Sequence, residues 1–267
     1  MIKIGFIGSG NMGSALAKAA KLAPDTEVFL YDKDERKAKD TAEKIGAIFA
    51  DNQKIAAECD FVFMAVKPNV IPMAASEIKD TLKARGEGYT VVSMAAGVNL
   101  ASLEAAFADA DSPIIRIMPN TPAAFGKGMM LWCKNARVSD SAAESFKKIM
   151  EKSGALDEID ERLIDAGSAV SGCGPAFVYM FIEALADGGV ECGLPRDKAL
   201  RYAAETLIGA AETVLKSGKH PEQLKDEVCS PGGSTIAGVH ALEEGGFRAS
   251  AANAVLSAYK KTLTLGK

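Results

Sequence analysis

Residues 8–13 read Gly-Ser-Gly-Asn-Met-Gly, directly after the apolar run IKIGFI and at the head of an alanine-rich amphipathic stretch. Glycines at this spacing suit a dinucleotide. Gly8 permits a tight turn, Gly10 lets backbone approach a pyrophosphate, and Gly13 allows a helix to pack closely on a strand, with the phosphates facing the positive helix N-terminus. Ser9, Asn11 and Met12 belong to the same cradle. Asp32 ends the next apolar run, EVFLYD, 24 residues after Gly8. There its carboxylate can accept from the two ribose hydroxyls of an adenosine, which favours NAD. Lys33 and Arg36 follow at once, and if Asp32 turns away they can clamp a 2′-phosphate, so NADP stays open. Asp34 and Glu35 read as the solvated start of a helix.

Two more segments sit where strands should end, Ala65-Val66-Lys67-Pro68 and Met94-Ala95-Ala96-Gly97, and Asn120 follows PIIRIM in PNTP. Open α/β sheets bind ligands along that edge. Lys67 can reach a phosphate or ribose there, and Ala95 and Ala96 are small enough to let a flat nicotinamide pass.

The second half carries two further glycine-rich segments, SGCGPA at 171–176 and CSPGGSTIAG at 229–238, each predicted to open a helix. Backbone N–H groups in a first helical turn lack intrahelical acceptors and bind carboxylates as readily as phosphates. Gly232, Gly233, Ser234 and Thr235 form the more loop-like of the two. His220, in a predicted turn, and His240, in the helix after SPGG, accompany no serine-carboxylate constellation and no metal-ligand spacing, so serine-hydrolase and metal-hydrolase chemistry lack parts; no metal is expected.

The elements that position these residues fall into two kinds. To about residue 160, short β-branched runs alternate with amphipathic stretches at 11–22, 34–44, 69–83 and 99–108, the pattern of a parallel α/β sheet. A strand-helix-strand trio at about 129–134, 139–152 and 155–159 closes that domain. From 161 to 267 strand signals vanish, and alanine, leucine, glutamate and lysine dominate, punctuated by GLP, SGKHP and SPGG. Pro195 is expected in the first turn of a helix. PAFVYMFIEALA, at 175–186, carries one charge, Glu183, and is apolar all round. So small a helical domain cannot cover such a helix alone, and a homo-oligomer is expected.

With 31 basic and 35 acidic residues spread without long single-sign runs, the chain lacks the electrostatic footprint of a nucleic-acid or anionic-membrane binder. Five cysteines without paired spacing fit a reducing, cytoplasmic setting. Without an uncharged apolar run of about 18 residues, no membrane span is expected.

GFIGSGNMG, AVKP, MAAG, MPNTP, SGCGPAF, EALADGGVECGLP, QLKDEVCSPGGSTIAG and LEEGGFR together resemble pyrroline-5-carboxylate reductase, in register from residue 2 to about 260. The resemblance implies a Rossmann-type domain at 1–160, a helical dimerisation domain at 161–267 that can assemble into higher oligomers of dimers, and an active site where cofactor and paired helical domains meet. It implies hydride transfer from NAD(P)H to the C=N carbon of a cyclic imine carboxylate. Carried over by position, it implies that the amides around Gly232, Gly233, Ser234 and Thr235 hold the carboxylate. By the same carry-over the Thr235 hydroxyl bonds the ring nitrogen, Glu161 lies near the substrate, and Asn52 contacts the adenosine ribose. Lys67, Ala95 and Ala96 match cofactor contacts. Cys173 stands where the family often has serine, Glu227 where some members have asparagine, and Asp32 where NADP-preferring members carry polar or basic residues. Two other activities share parts of this pattern. A β-hydroxyacid dehydrogenase would need a lysine soon after SGCGPA, but the next one is Lys198. A dinucleotide-sensing dimer without catalysis leaves the SPGGST segment unexplained.

Overall fold

The computed structural model describes residues 1–264. They form two compact units, Met1–Cys173 together with the chain from Ala258 onward, and Gly174–Ser257. The first is a layered α/β unit with elements β1 (Ile2–Ile7), α1 (Asn11–Lys21), β2 (Thr26–Tyr31), α2 (Glu35–Ile45), β3 (Ile48–Phe49), α3 (Asn52–Glu58), β4 (Phe61–Met64), α4 (Ile71–Arg85), β5 (Thr90–Ser93), α5 (Leu100–Ala106), β6 (Ile114–Met118), β7 (Gly128–Lys134), α6 (Asp140–Met150), β8 (Gly154–Glu158) and α7 (Glu161–Ser171). The sheet order is β3-β2-β1-β4-β5-β6-β7-β8. The chain therefore leaves β1 toward one side and returns to its other side at β4, which opens a crevice beyond the strand C-termini.

Strands β4, β5 and β6 are buried along their whole length, as helices on both faces require. On one face Phe6 stacks on Phe63 with centroids 4.4 Å apart, and Trp132 tilts against Phe146. The other face packs Ile55, Ile78, Leu82 and Phe107 from α3, α4 and the end of α5.

Two features depart from the sequence expectation. The pairs are parallel except β6 with β7, which is antiparallel. Only residues 119–127 separate those strands, most of them in a 3-10 turn at Thr121–Phe125, and a parallel return needs a crossover of about a dozen residues or more. In addition β3 and α3 stand where the sequence suggested only a connection. A strand of two residues and a helix of seven are too short to show a period, although Asp51 caps α3 by accepting from the Lys54 N–H.

The second unit is helical: α8 (Gly174–Glu191), α9 (Arg196–Ser217), α10 (Pro221–Val228), α11 (Ser234–Glu244) and most of α12 (Phe247–Thr262). Pro195 is the N-cap of α9 rather than a first-turn residue, whereas Pro221 takes the first position of α10. Among the described residues of this unit only Ala186, Ala199 and Ala203 are buried. The helical stretch Glu161–Glu191 is long and apolar enough to cross a membrane by length and composition, which corrects the expectation that no such helix exists. Counting uncharged runs missed it because the uncharged run 166–182 ends at Glu183 after 17 residues, while the mean hydropathy stays high across that charge.

Candidate active site

At the β1–α1 junction the three glycines have three different surroundings. Gly8 has φ +113°, and a Cβ there would stand 2.3 Å from the Ala65 carbonyl oxygen; a Cβ on Gly13 would stand 2.4 Å from the Gly8 oxygen. Both glycines are required by the protein's own packing. At Gly10 a Cβ would meet nothing within 4 Å. Gly10 is also the N-cap of α1 and has no side-chain cap, so the first-turn amides face open space. A pyrophosphate fits that space, with the helix N-terminus behind it.

The loop is tied to the neighbouring strand ends. Gly8 N–H donates to the Tyr31 carbonyl at 2.7 Å and Ala65 N–H to the Ile7 carbonyl at 2.8 Å. Asp32 Oδ2 accepts from Ser9 N–H at 2.7 Å and from the Ser9 hydroxyl at 2.9 Å, and Oδ1 accepts from Asp34 N–H at 3.1 Å. Burial disfavours the Asp32 anion, but those three donors, helped by Lys37, outweigh it and hold the carboxyl below the usual range. Ser9 is thus committed to Asp32, and the two form one rigid corner.

Beside this corner lies a cavity of about 350 Å³ that brings together Gly8, Gly10, Asp32, Lys33, Asn52, Val66 and Lys67. Tyr31, Lys37 and Glu77 also line it, and the sequence reading missed them. Nothing in the sequence flags Glu77, because α4 reaches the cavity only by packing on the unforeseen α3. Asn52 is 7% exposed; its Nδ2 donates to Glu77, while its Oδ1 is buried without a partner. A buried acceptor left open beside a cavity is what a bound hydroxyl or amine would satisfy.

Other expected residues lie outside that cavity. Asn11 and Met12 open α1, with Asn11 exposed and Met12 packed on the core, and Arg36 is exposed on α2. Ala95 and Ala96 follow β5, Ala95 being buried. The Asn120 side chain serves the fold at both ends: Nδ2 donates to the Ser171 carbonyl and Oδ1 accepts from Met129 N–H, each at 2.9 Å. A larger hollow of about 710 Å³ opens at the N-terminal ends of the strands, lined by Asp60, Tyr89 and Arg137 among others. Its one guanidinium is already paired with Glu104 and Asp111, so it offers no convergent donors.

Glu161 heads α7 and is drawn into an ionic cluster. Arg116, 2% exposed on β6, reaches Glu161 Oε1 at 3.2 Å and Asp165 Oδ1 at 2.8 Å, and Glu161 Oε1 also accepts from Leu100 N–H at 2.6 Å. A lone charge inside the otherwise apolar run PIIRIM was the available signal for this cluster.

In the helical unit, Gly232 adopts φ +66° and Gly233 is the N-cap of α11, again without a side-chain cap. The Gly233 N–H donates to the Ser230 carbonyl at 3.0 Å and so closes the turn rather than pointing outward. In the first turn of α11 the amides of Ser234, Thr235 and Ile236 have no protein acceptor, and Ser234 and Thr235 are exposed. SGCGPA differs from this turn. It is a break of two residues whose amides, Gly172 and Cys173, both donate to the Ser168 carbonyl. His220 caps α10 through Nδ1, and His240 is an exposed partner of Glu244.

Comparison with known proteins gives this geometry a setting. Residues 161–265 match the family model described as pyrroline-5-carboxylate reductase dimerisation, and residues 3–97 match that of NADP oxidoreductase, coenzyme F420-dependent. The chain is 40% identical to the pyrroline-5-carboxylate reductase of Escherichia coli (strain K12), with 99% of this chain and 98% of that protein covered. It is 39% identical to the enzyme of Arabidopsis thaliana, with 99% and 96% covered. The crystal structure of Plasmodium falciparum pyrroline carboxylate reductase with NADP bound superposes with a TM-score of 0.86 at 34% identity, covering 100% of this chain and 98% of that one. With residues 161–265 matched to its dimerisation model and about 40% identity to its members over 99% of the sequence, the chain belongs to the pyrroline-5-carboxylate reductase family.

Proposed function

We propose that the chain reduces 1-pyrroline-5-carboxylate to L-proline, the last step of proline biosynthesis, using NAD(P)H. The observation that carries this is the glycine-capped N-terminus of α11, where the exposed residues Ser234 and Thr235 leave their amides without a protein acceptor and no side chain caps the turn. A small carboxylate matches those donors in charge and size. We assign the amides of Ser234 and Thr235 to the substrate carboxylate, with Gly232 supplying the left-handed backbone that shapes the turn and Gly233 holding it closed. The Thr235 hydroxyl is assigned to the ring nitrogen, where it orients the C=N bond and stabilises the amine that forms.

When bound, the reduced nicotinamide supplies the hydride that the C=N carbon accepts, and the nitrogen's proton comes from solvent before binding. What this chain contributes is position. Gly10 and the first turn of α1 hold the pyrophosphate, while Asp32 and Asn52 hold the adenosine ribose. Lys67 and Val66 flank that cavity, and Ala95 and Ala96 leave room for the nicotinamide. Fixing both reactants removes an entropic barrier that can be worth several kcal/mol, of order 7 or more. The apolar, largely uncovered α8 supports a homodimer as the working form. Two carboxylates, Asp165 and Leu100's partner Glu161, share Arg116, so Glu161 is a candidate substrate neighbour whose first duty is to the fold.

The test is to follow oxidation of NADH and of NADPH with pyrroline-5-carboxylate in native protein and in Thr235→Ala. The variant should lose roughly 1–3 kcal/mol of transition-state stabilisation, about five- to 150-fold in kcat/KM. Unchanged kinetics would remove Thr235 from the mechanism, and absence of imine-dependent oxidation in native protein would overturn the reaction itself.

A further inference from the structure

The cavity beside Gly10 bears on which of the two dinucleotides it prefers, a question that rests on the function proposed above. The fixed groups that line it are acceptors. Asp32 is held in place by Ser9, which occupies Oδ2, while Oδ1 receives only the Asp34 N–H at 3.1 Å and keeps a lone pair free. Glu77 brings a second carboxylate. It also settles the orientation of the Asn52 amide, because a carboxylate accepts from Nδ2 and repels Oδ1. Asn52 also lines the cavity, with its side chain buried and its acceptor Oδ1 left without a partner.

A ribose diol carries two hydroxyl donors and suits such a set. A 2′-phosphate carries no donor when fully ionised and brings about two negative charges toward two carboxylates. The cations that line the cavity are Lys33, Lys37 and Lys67, all exposed on long flexible stems. Lys37 already acts on Asp32, and Arg36, whose planar fork would suit a phosphate best, does not line the cavity. The field is acidic as well: burial, then Glu77, Glu35 and Asp32, push the Tyr31 hydroxyl above its ordinary range.

We infer that this chain selects the dinucleotide with a free adenosine diol, NADH, over its 2′-phosphorylated counterpart, and that Asp32, Glu77 and Asn52 are the residues that discriminate. Direct binding separates this from turnover. Titrating the native protein with NADH and with NADPH, read by nicotinamide fluorescence, should show NADH binding about ten- to a hundredfold more tightly, the worth of one charge-assisted hydrogen bond. Glu77→Gln keeps the acceptor for Asn52 and leaves the glycine loop untouched. It should tighten NADPH binding several-fold and so narrow the ratio between the two dinucleotides. Asp32→Ser should narrow the ratio from both sides. Equal or tighter NADPH binding in native protein that still reduces the imine overturns the selectivity and leaves the proposed reaction standing. Binding of neither dinucleotide overturns both.

Discussion

Gly10 and Gly13, three residues apart in one motif, make the sharpest comparison at the level of single residues. Gly13 is enclosed, because any Cβ would collide with the Gly8 carbonyl and sit 2.9 Å from Ala65 Cβ, whereas Gly10 faces only open space. Gly13→Ala should therefore destabilise the fold by about 1–3 kcal/mol, the usual cost of overpacking. Gly10→Ala should cost at most about 1 kcal/mol, through a poorer N-cap, yet weaken dinucleotide binding tenfold or more by filling the phosphate's place. Thermal melts alongside cofactor titrations read both, and equal loss of stability in the two variants would contradict the division. The motif itself was legible in the sequence because glycine spacing is local chemistry. The Ser9–Asp32 pairing was not, since it joins two strand ends 23 residues apart that only the sheet brings together.

Among the elements, α7 shows how a charge buried in a strand fixes a neighbouring helix. Glu161 and Asp165 lie one turn apart on one face of α7 and both reach Arg116, whose Nε is buried without a partner. Removing the acids and removing the base are not equivalent. Glu161→Ala with Asp165→Ala strands a buried guanidinium and should cost about 3–5 kcal/mol, while Arg116→Met leaves two partly exposed carboxylates that water can solvate and should cost roughly 1–3. Urea unfolding of the two variants measures the difference, and a larger loss for Arg116→Met would mean the acids, not the base, are the trapped charges. Glu161→Gln, which leaves Asp165 on Arg116, then isolates any role of Glu161 toward substrate as a change in KM without a matching loss of stability. At this scale the alternating strands and helices to β6, apart from the short β3 and α3, were legible from apolar runs. The return of β7 was not, because direction is set by the length of a connection and not by the composition of the strand.

For the whole molecule the decisive fact is how little the helical unit covers. Its buried residues are three alanines among those described, while Tyr179, Met180, Leu185, Tyr202 and Ile208 are all exposed. A helical unit without a core of its own does not stay folded as a monomer in water, since apolar burial is the main term that offsets chain entropy. The sequence already hinted at this through the apolar PAFVYMFIEALA, whose composition also satisfies a membrane helix, so the two explanations must be separated by experiment. A second copy is favoured by the match of residues 161–265 to a dimerisation model. Met180 is 70% exposed in the single chain. If that surface faced water, Met180→Asp would change stability by no more than about 0.5 kcal/mol. If it faces a second copy, the same substitution buries an unpaired charge at the interface. The expected outcome is a soluble native dimer by light scattering without detergent, and for Met180→Asp a halved mass together with a lower melting temperature. A native chain that stays monomeric, or one that requires lipid or detergent to remain in solution, would rule out the dimer as the cover for α8.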